Sequence, residues 1–117
     1  MIMECVWWEL APGEPDIEQL QMQLEQIDLA VWQRIDALHT KYWIMNKTPP
    51  RWGAVMLWRG EKPALTVLPL NVAAEAIGRP PDVRLRFTVA ASCLNESIIA
   101  PWASVLSQEE TCITMPS

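Results

Sequence analysis

The hydrophobic and polar positions of the chain alternate in four short segments, which predicts four β-strands. In the first, residues 2–10, alternation puts Val6, Trp8 and Leu10 on one face. The other face is also largely apolar, which is typical of a strand that is covered on both sides. The other three strands are predicted at residues 39–46, 52–58 and 83–90.

Between the first two strands, apolar residues recur every three or four positions, which predicts a single helix of about six turns. Asp16 is its expected N-cap, because Gln19 three residues later completes a capping box. The apolar stripe of this predicted helix consists of Ile17, Leu20, Leu24, Ile27, Val31, Ile35 and Leu38.

A second helical region is predicted between the third and fourth strands. Because Pro69 cannot continue a helix interior, we expect a short turn near 63–68 and then a helix over about 70–77. Gly78 is a good C-terminal stop for that helix. Towards the end of the chain, we expect one short helix around 101–108, and then either an extra strand or a frayed end.

The order strand, helix, strand, strand, helix, strand is typical of a ferredoxin-like α+β domain, with two helices on one face of a four-stranded antiparallel sheet. We expect one domain over residues 1–117, with its core at about 2–92 and a C-terminal extension at 93–117. Since both faces of the first three strands carry large apolar side chains, one apolar face would stay exposed, which normally signals association. The pattern therefore predicts a homodimer, a dimeric α/β barrel with an internal cavity.

Tryptophan is the residue type that the composition singles out, with seven in 117 residues beside one Tyr and one Phe. Five of them lie in or beside the first three predicted strands, so we expect some to fill the core and others to line the barrel cavity. The residues expected to bind a hydrophobic small-molecule substrate are Trp7, Tyr42, Trp43, Trp52 and Trp58.

Charge and cysteine content argue against several classes of partner. The net charge is −5 and no basic run is present, which argues against nucleic acid and against an anionic membrane surface. No apolar run approaches the roughly 18 residues of a membrane-spanning helix, and the first residues lack the features of a signal peptide. The odd number of cysteines favours free thiols in the cytoplasm, with one disulfide and a remaining thiol as the alternative.

Four polar residues are candidates for catalysis. His39, the single histidine, is either an acid or base at the barrel mouth or a histidine at a helix C-terminus. Glu9 is either a buried carboxylate with a raised pKa or a solvated strand end. Arg86 would hold an enolate or carboxylate oxygen if its face lines the cavity, and otherwise lies on a solvated edge strand. Asn46 clusters with aromatic residues around the predicted hairpin.

Metal and phosphate sites are not expected. A single histidine without cysteine or carboxylate at ligand spacing makes no convincing metal site. The four glycines form no phosphate-binding pattern. No cofactor is therefore predicted.

One stretch, KYWIMNKTPPRWGAVMLWRGEKPAL at residues 41–65, carries a recognisable pattern. It has a Lys and an aromatic residue on the second strand, a small-residue pair opening the third, and an acidic-Lys turn after it. The matching positions are Lys41, Trp43, Gly53, Ala54, Leu57, Trp58, Glu61 and Lys62. On these residues the chain resembles the dimeric α/β-barrel superfamily, and within it the YdhR-type monooxygenases, over about residues 2–95.

The resemblance implies a cofactor-independent monooxygenase that acts on a hydrophobic aromatic or polyketide-like substrate. A cyclase or isomerase of natural-product biosynthesis on the same scaffold is the first alternative. The second is a non-catalytic ligand-binding dimer, in which the tryptophans form only an interface.

Overall fold

The computed structural model of the chain describes residues 1–64 and 68–95. The elements follow in the order β1 (Ile2–Glu9), α1 (Ile17–Gln26), α2 (Ala30–Gln33), β2 (Leu38–Asn46), β3 (Arg51–Trp58), α3 (Val72–Ile77) and β4 (Val83–Thr88). The four strands form one antiparallel sheet in the order β2-β3-β1-β4. This α+β architecture is compatible with a ferredoxin-like fold and confirms the four predicted strands to within two residues at each end.

The long first helix is the main correction to the predicted elements. The chain leaves helical geometry at Ile27, whose backbone is extended, and α2 starts only at Ala30. The Asp28 carboxylate accepts a hydrogen bond from the Ala30 N–H at 2.9 Å. A short side chain that hydrogen-bonds to the local backbone in this way competes with a continuous helix. The apolar stripe therefore continues from α1 into α2, although the helix itself is interrupted.

Two predicted helix boundaries are confirmed, the start of α1 at Asp16 and the end of α3 at Gly78. Asp16 and Gln19 form the reciprocal capping box at the start of α1, with bonds of 2.8 and 2.9 Å. Gly78 ends α3 in the left-handed conformation, with φ 81°. Asn71 caps the start of α3 by accepting from the Ala74 N–H. The turn expected at 63–68 includes residues that lie outside the described part of the chain, as does the helix expected at 101–108.

The helices cover one face of the sheet, and two clusters of buried residues lie there. One cluster contains Val6, Trp32, Leu38, Ala54, Met56 and Trp58. The other contains Trp8, Ile17, Leu20, Trp52 and Ile77. Trp43 of β2 packs against both clusters.

The opposite face of the sheet, which we call the open face, carries no helix of the described residues. Alternation and register place Cys5 and Trp7 of β1, Tyr42 and Ile44 of β2, and Leu85 and Phe87 of β4 on it. Tyr42, Ile44, Leu85 and Phe87 are exposed. The apolar face of β4 therefore points away from the helices, and its arginine face points towards them.

Gly53 lets β1 and β3 approach each other closely at the centre of the sheet. A Cβ atom at this position would lie 2.0 Å from the Val6 carbonyl oxygen and 2.6 Å from the Trp7 Cβ. Such contacts are far inside van der Waals distance, so no larger residue fits without moving the backbone.

Two further observations bear on the class of protein. Within residues 1–64 and 68–95, no helix is long and apolar enough to cross a membrane. Cys5 and Cys93 are both free thiols. Cys112 lies outside the described residues.

Candidate functional site

A cavity of about 340 Å³ lies between the sheet and the helices. Residues of both core clusters line this cavity. Its aromatic wall consists of Trp8, Trp32, Trp43 and Trp52, and Leu20, Leu24 and Ile27 close it from the helix side. The volume and the apolar walls are those of a small-molecule site.

Charged side chains enter this apolar cavity from three parts of the fold. Lys41 comes from β2, Lys62 from the segment after β3, and Arg84 from β4. The Arg84 side chain stays 47% exposed, whereas that of Lys62 is 19% exposed. Because removing a charge from water is costly unless it is paired, the two partly buried lysines require an explanation. Glu4 supplies part of it.

Among residues 1–64 and 68–95, Glu4 is the one buried carboxylate, with only 2% of its surface exposed. It accepts hydrogen bonds from Arg84 at 2.7 Å, from Lys62 at 3.2 Å and from the Trp58 indole N–H at 3.2 Å. Burial raises the pKa of Glu4, but the bonds from Lys62 and Arg84 outweigh it and leave the pKa below its usual value. Glu4 is therefore ionised and fixes both cationic side chains.

Lys41 has no such partner within the described part of the chain. Its Nζ lies 3.2 Å from the centre of the Trp32 ring and 4.7 Å from that of Trp43. The two rings meet edge to face, with centroids 6.2 Å apart. The aromatic faces attract the ammonium, but they do not neutralise it.

The surroundings of Lys41 favour its uncharged form. Burial lowers the pKa of Lys41, the nearby charge of Lys62 lowers it further, and Glu4 opposes both, which leaves the pKa at about 7. Lys41 is thus part ammonium and part free amine near neutral pH, an unusual state for a lysine. Perturbed groups of this kind are concentrated at functional sites.

Gln23 adds a polar atom to the helix side of the cavity. Its Oε1 is buried and has no hydrogen-bond partner among residues 1–64 and 68–95. The cavity therefore presents three cationic groups and one unpaired acceptor within aromatic and aliphatic walls, and Glu4 holds two of the cationic groups from behind the lining.

The structure divides the aromatic residues that the sequence singled out. Trp43 and Trp52 line the cavity between the sheet and the helices, which lies on the face opposite to the one that the expected dimeric barrel would enclose. Trp58 is fully buried in the core and donates to Glu4. Trp7 and Tyr42 lie on the open face, where Trp7 donates to Glu9. We expected tryptophans on both faces of the sheet. Among those in the described strands, Trp7 alone lies on the open face.

Glu9 and Asn46 lie at strand ends, away from the cavity. Glu9 is exposed and accepts from Arg51 and Trp7, each at 2.9 Å. These bonds, that from Arg51 first, lower the pKa of Glu9, which is opposite to the raised value considered for it. Asn46 donates to the Pro49 carbonyl at 2.8 Å and so orders the turn between β2 and β3.

His39 and Arg86 are also exposed. His39 lies at a register irregularity in β2 rather than at a helix end, because α2 already stops at Gln33. It borders a second cavity, of about 560 Å³, which shares Lys41 with the first. Arg86 is exposed on the edge strand β4, on its helix-side face, and does not line the cavity, whereas its neighbour Arg84 reaches it.

Sequence reasoning missed Glu4, Lys41, Lys62 and Arg84 as a site. A signal for the first two was present, because Glu4 shares its strand face with Val6 and Trp8, and Lys41 shares its face with Trp43. A charged residue in phase with core residues is a candidate buried charge. Lys62 and Arg84 carry no comparable signal, since only the folded chain brings them to Glu4.

Comparisons with known proteins add no family. No protein-family model matches the chain, and no curated protein matches it significantly. The described residues contain no group of three or more His, Cys, Asp or Glu side chains placed to hold a metal ion.

Proposed function

We propose that this protein is an enzyme that binds a hydrophobic small molecule in the cavity between the sheet and the helices. The observation that carries the proposal is the combination of a tryptophan-lined cavity with Lys41, Lys62 and Arg84 at its surface. The aromatic walls suit an aromatic or polyketide-like body. The excess of cationic groups over the single carboxylate Glu4 suits a substrate that becomes an anion.

The proposed reaction is cofactor-independent oxygenation. Cationic groups held in a dry cavity stabilise an enolate or phenolate far better than water does. Such an electron-rich anion can pass an electron to molecular oxygen and combine with it to give, after protonation, a hydroperoxide, which loses water and leaves a carbonyl group on the substrate. Lys62 and Arg84 would favour formation of the anion, and the tryptophan walls would hold its rings.

Cyclisation or isomerisation of a reactive chain is the second candidate. The apolar walls favour it, because they would fold such a substrate and shield it from water. Both reactions use the same cavity and the same stabilised anion. They differ in whether oxygen is consumed.

The test is oxygen uptake with a polycyclic quinol as substrate, measured together with product mass. We expect one oxygen molecule consumed per product formed, and Arg84→Gln should lower the rate by about tenfold or more. Arg86→Gln is the matched control, since Arg86 lies on the same strand face but does not line the cavity. Rearranged product without oxygen uptake would support the second candidate. Binding of the substrate without turnover would support the alternative that the protein is a non-catalytic ligand-binding dimer.

We also propose that the protein is a homodimer joined through the open face of the sheet. Leu85 and Phe87, which are 43% and 54% exposed, support this arrangement together with Tyr42 and Ile44. Light scattering at micromolar concentration should find a dimer, and Phe87→Ser should give a folded monomer. A monomeric wild-type protein would contradict the proposal.

A further inference from the structure

Lys41 differs from the other cationic groups of the cavity in having no acidic partner. Lys62 is held by Glu4 at 3.0 Å and Arg84 by the same carboxylate at 2.7 Å. Both are therefore paired with a carboxylate. Among the described residues, no ion pair or hydrogen bond involves the Lys41 side chain, and only the Trp32 and Trp43 rings hold it.

We propose that Lys41 is a nucleophile that forms a covalent imine with a hydrophobic aldehyde or ketone bound in this cavity. This inference rests on the proposed function for the existence of the binding site, and it deepens that function by naming the substrate class. The carbonyl group would lie at Nζ, and the apolar body of the substrate would pack against the tryptophan walls.

The chemistry needs the free amine, because only its lone pair can attack a carbonyl carbon. Burial and the charge of Lys62 lower the pKa of Lys41 to about 7, so a large share of the free amine is present at neutral pH. Glu4, the facing carboxylate, acts in the opposite direction but is shared between Lys62 and Arg84. Lys41 is thus the one lysine of the cavity that is suited to nucleophilic attack.

The step balances without an oxidant, a reductant or a cofactor. The Nζ lone pair forms a bond to the carbonyl carbon and gives a carbinolamine. The carbonyl oxygen then leaves as water with the two protons of the amine, and a carbon–nitrogen double bond remains. Once protonated, this imine withdraws electrons from the adjacent carbon, which favours the deprotonation that cyclisation or isomerisation requires.

The experiment uses 2-naphthaldehyde as the probe, with sodium cyanoborohydride to reduce any imine to a stable amine. Intact mass and peptide mapping then identify the labelled lysine. We expect one adduct per chain, located at Lys41 and formed at least about 50-fold faster at pH 7 than at Lys47, which is exposed and lies outside the cavity. Lys41→Arg, which keeps the charge, should abolish the fast adduct.

Labelling spread over Lys47, Lys62 and the N-terminus, with no preference for Lys41, would overturn the proposal. Quenching of tryptophan fluorescence by 2-naphthoate, which cannot form an imine, tests the binding site separately. Binding of naphthoate without selective labelling refutes the imine and leaves the proposed function standing. Absence of both refutes both, whereas selective labelling of Lys41 in the wild-type chain supports the imine on its own.

Discussion

The helix-covered face of the sheet holds charged side chains beside its apolar core, whereas the open face exposes large apolar side chains. Beneath the helices lie Glu4, Lys41 and Lys62, with Arg84 reaching in from the edge strand β4. On the open face, Leu85 and Phe87 are exposed. An apolar residue in water costs little, whereas a charge under a helix layer costs much.

The contrast shows where function is to be sought. Glu4 pairs with Lys62 and Arg84, and no carboxylate of the described residues pairs with Lys41. The Lys41 side chain lines the cavity between the sheet and the helices. The open face lacks any comparable polar centre, since the Glu9–Arg51 pair lies at its exposed end. The helix side is therefore the candidate for chemistry and the open face the candidate for association.

The largest effect is expected from Glu4→Gln. The change leaves Lys62 and Arg84 without their carboxylate and places an amide N–H beside them, so the free energy of unfolding should fall by about 3 kcal/mol or more. Urea denaturation measures it. Glu9→Gln, on the same strand but exposed, is the control and should change stability far less. Equal losses would mean that the two faces do not differ in the way described.

Gly53→Ala tests the close approach of β1 and β3 that supports both faces. The new methyl group would collide with backbone atoms of Val6, so we expect a loss of about 3 kcal/mol in unfolding free energy. Gly60→Ala is the matched control, because a Cβ there has nothing within 4 Å. Thermal denaturation of both variants should leave Gly60→Ala within about 0.5 kcal/mol of the wild type.

Lys41→Met should stabilise the protein, by about 2 kcal/mol at pH 7, because it removes a buried charge without a carboxylate partner. The gain in the free energy of unfolding from Lys41→Met depends on pH, and the direction of this dependence follows from the pKa of Lys41. The folded-state pKa of about 7 lies below the ordinary lysine value, so the unfolded chain binds more protons between the two, and wild-type stability rises with pH across that window. The advantage of Lys41→Met should therefore be full at or below pH 7 and shrink towards pH 10.

A constant difference between Lys41→Met and the wild type from pH 6 to pH 10 would show that Lys41 does not titrate in this range. Urea denaturation at intervals of one pH unit decides between the two results. Lys47→Met is the control, since Lys47 is exposed and lies outside the cavity.

The local elements could be predicted from the sequence because local rules determine them. Alternation gave the strands, the Asp16–Gln19 pair gave the start of α1, and Gly78 gave the end of α3. The break at Ile27 could not be predicted from the apolar stripe, which continues with the same spacing. At the break the Ala30 N–H donates to the Asp28 carboxylate, and the Val31 and Trp32 N–H groups donate to the carbonyls of Asp28 and Leu29.

The candidate site was predictable only in part, for a different reason. Trp43 and Trp52 follow from their strand positions, and Glu4 and Lys41 are in phase with core residues. Alternation did not determine which face of the sheet the helices would cover, since both faces of β1 are apolar. Arg84 and Lys62 meet Glu4 across 80 and 58 residues of chain, respectively, and no spacing rule connects positions so far apart.

The most direct test of the central claim is the response of the tryptophan indole N–H signals of ¹⁵N-labelled protein to 2-naphthoate. Single Trp→Phe variants assign the signals. If the cavity between sheet and helices is the binding site, the signals of Trp43 and Trp52 should shift saturably while that of Trp7 stays in place. A shift of Trp7 with Trp43 and Trp52 unchanged would place binding on the open face and contradict the account.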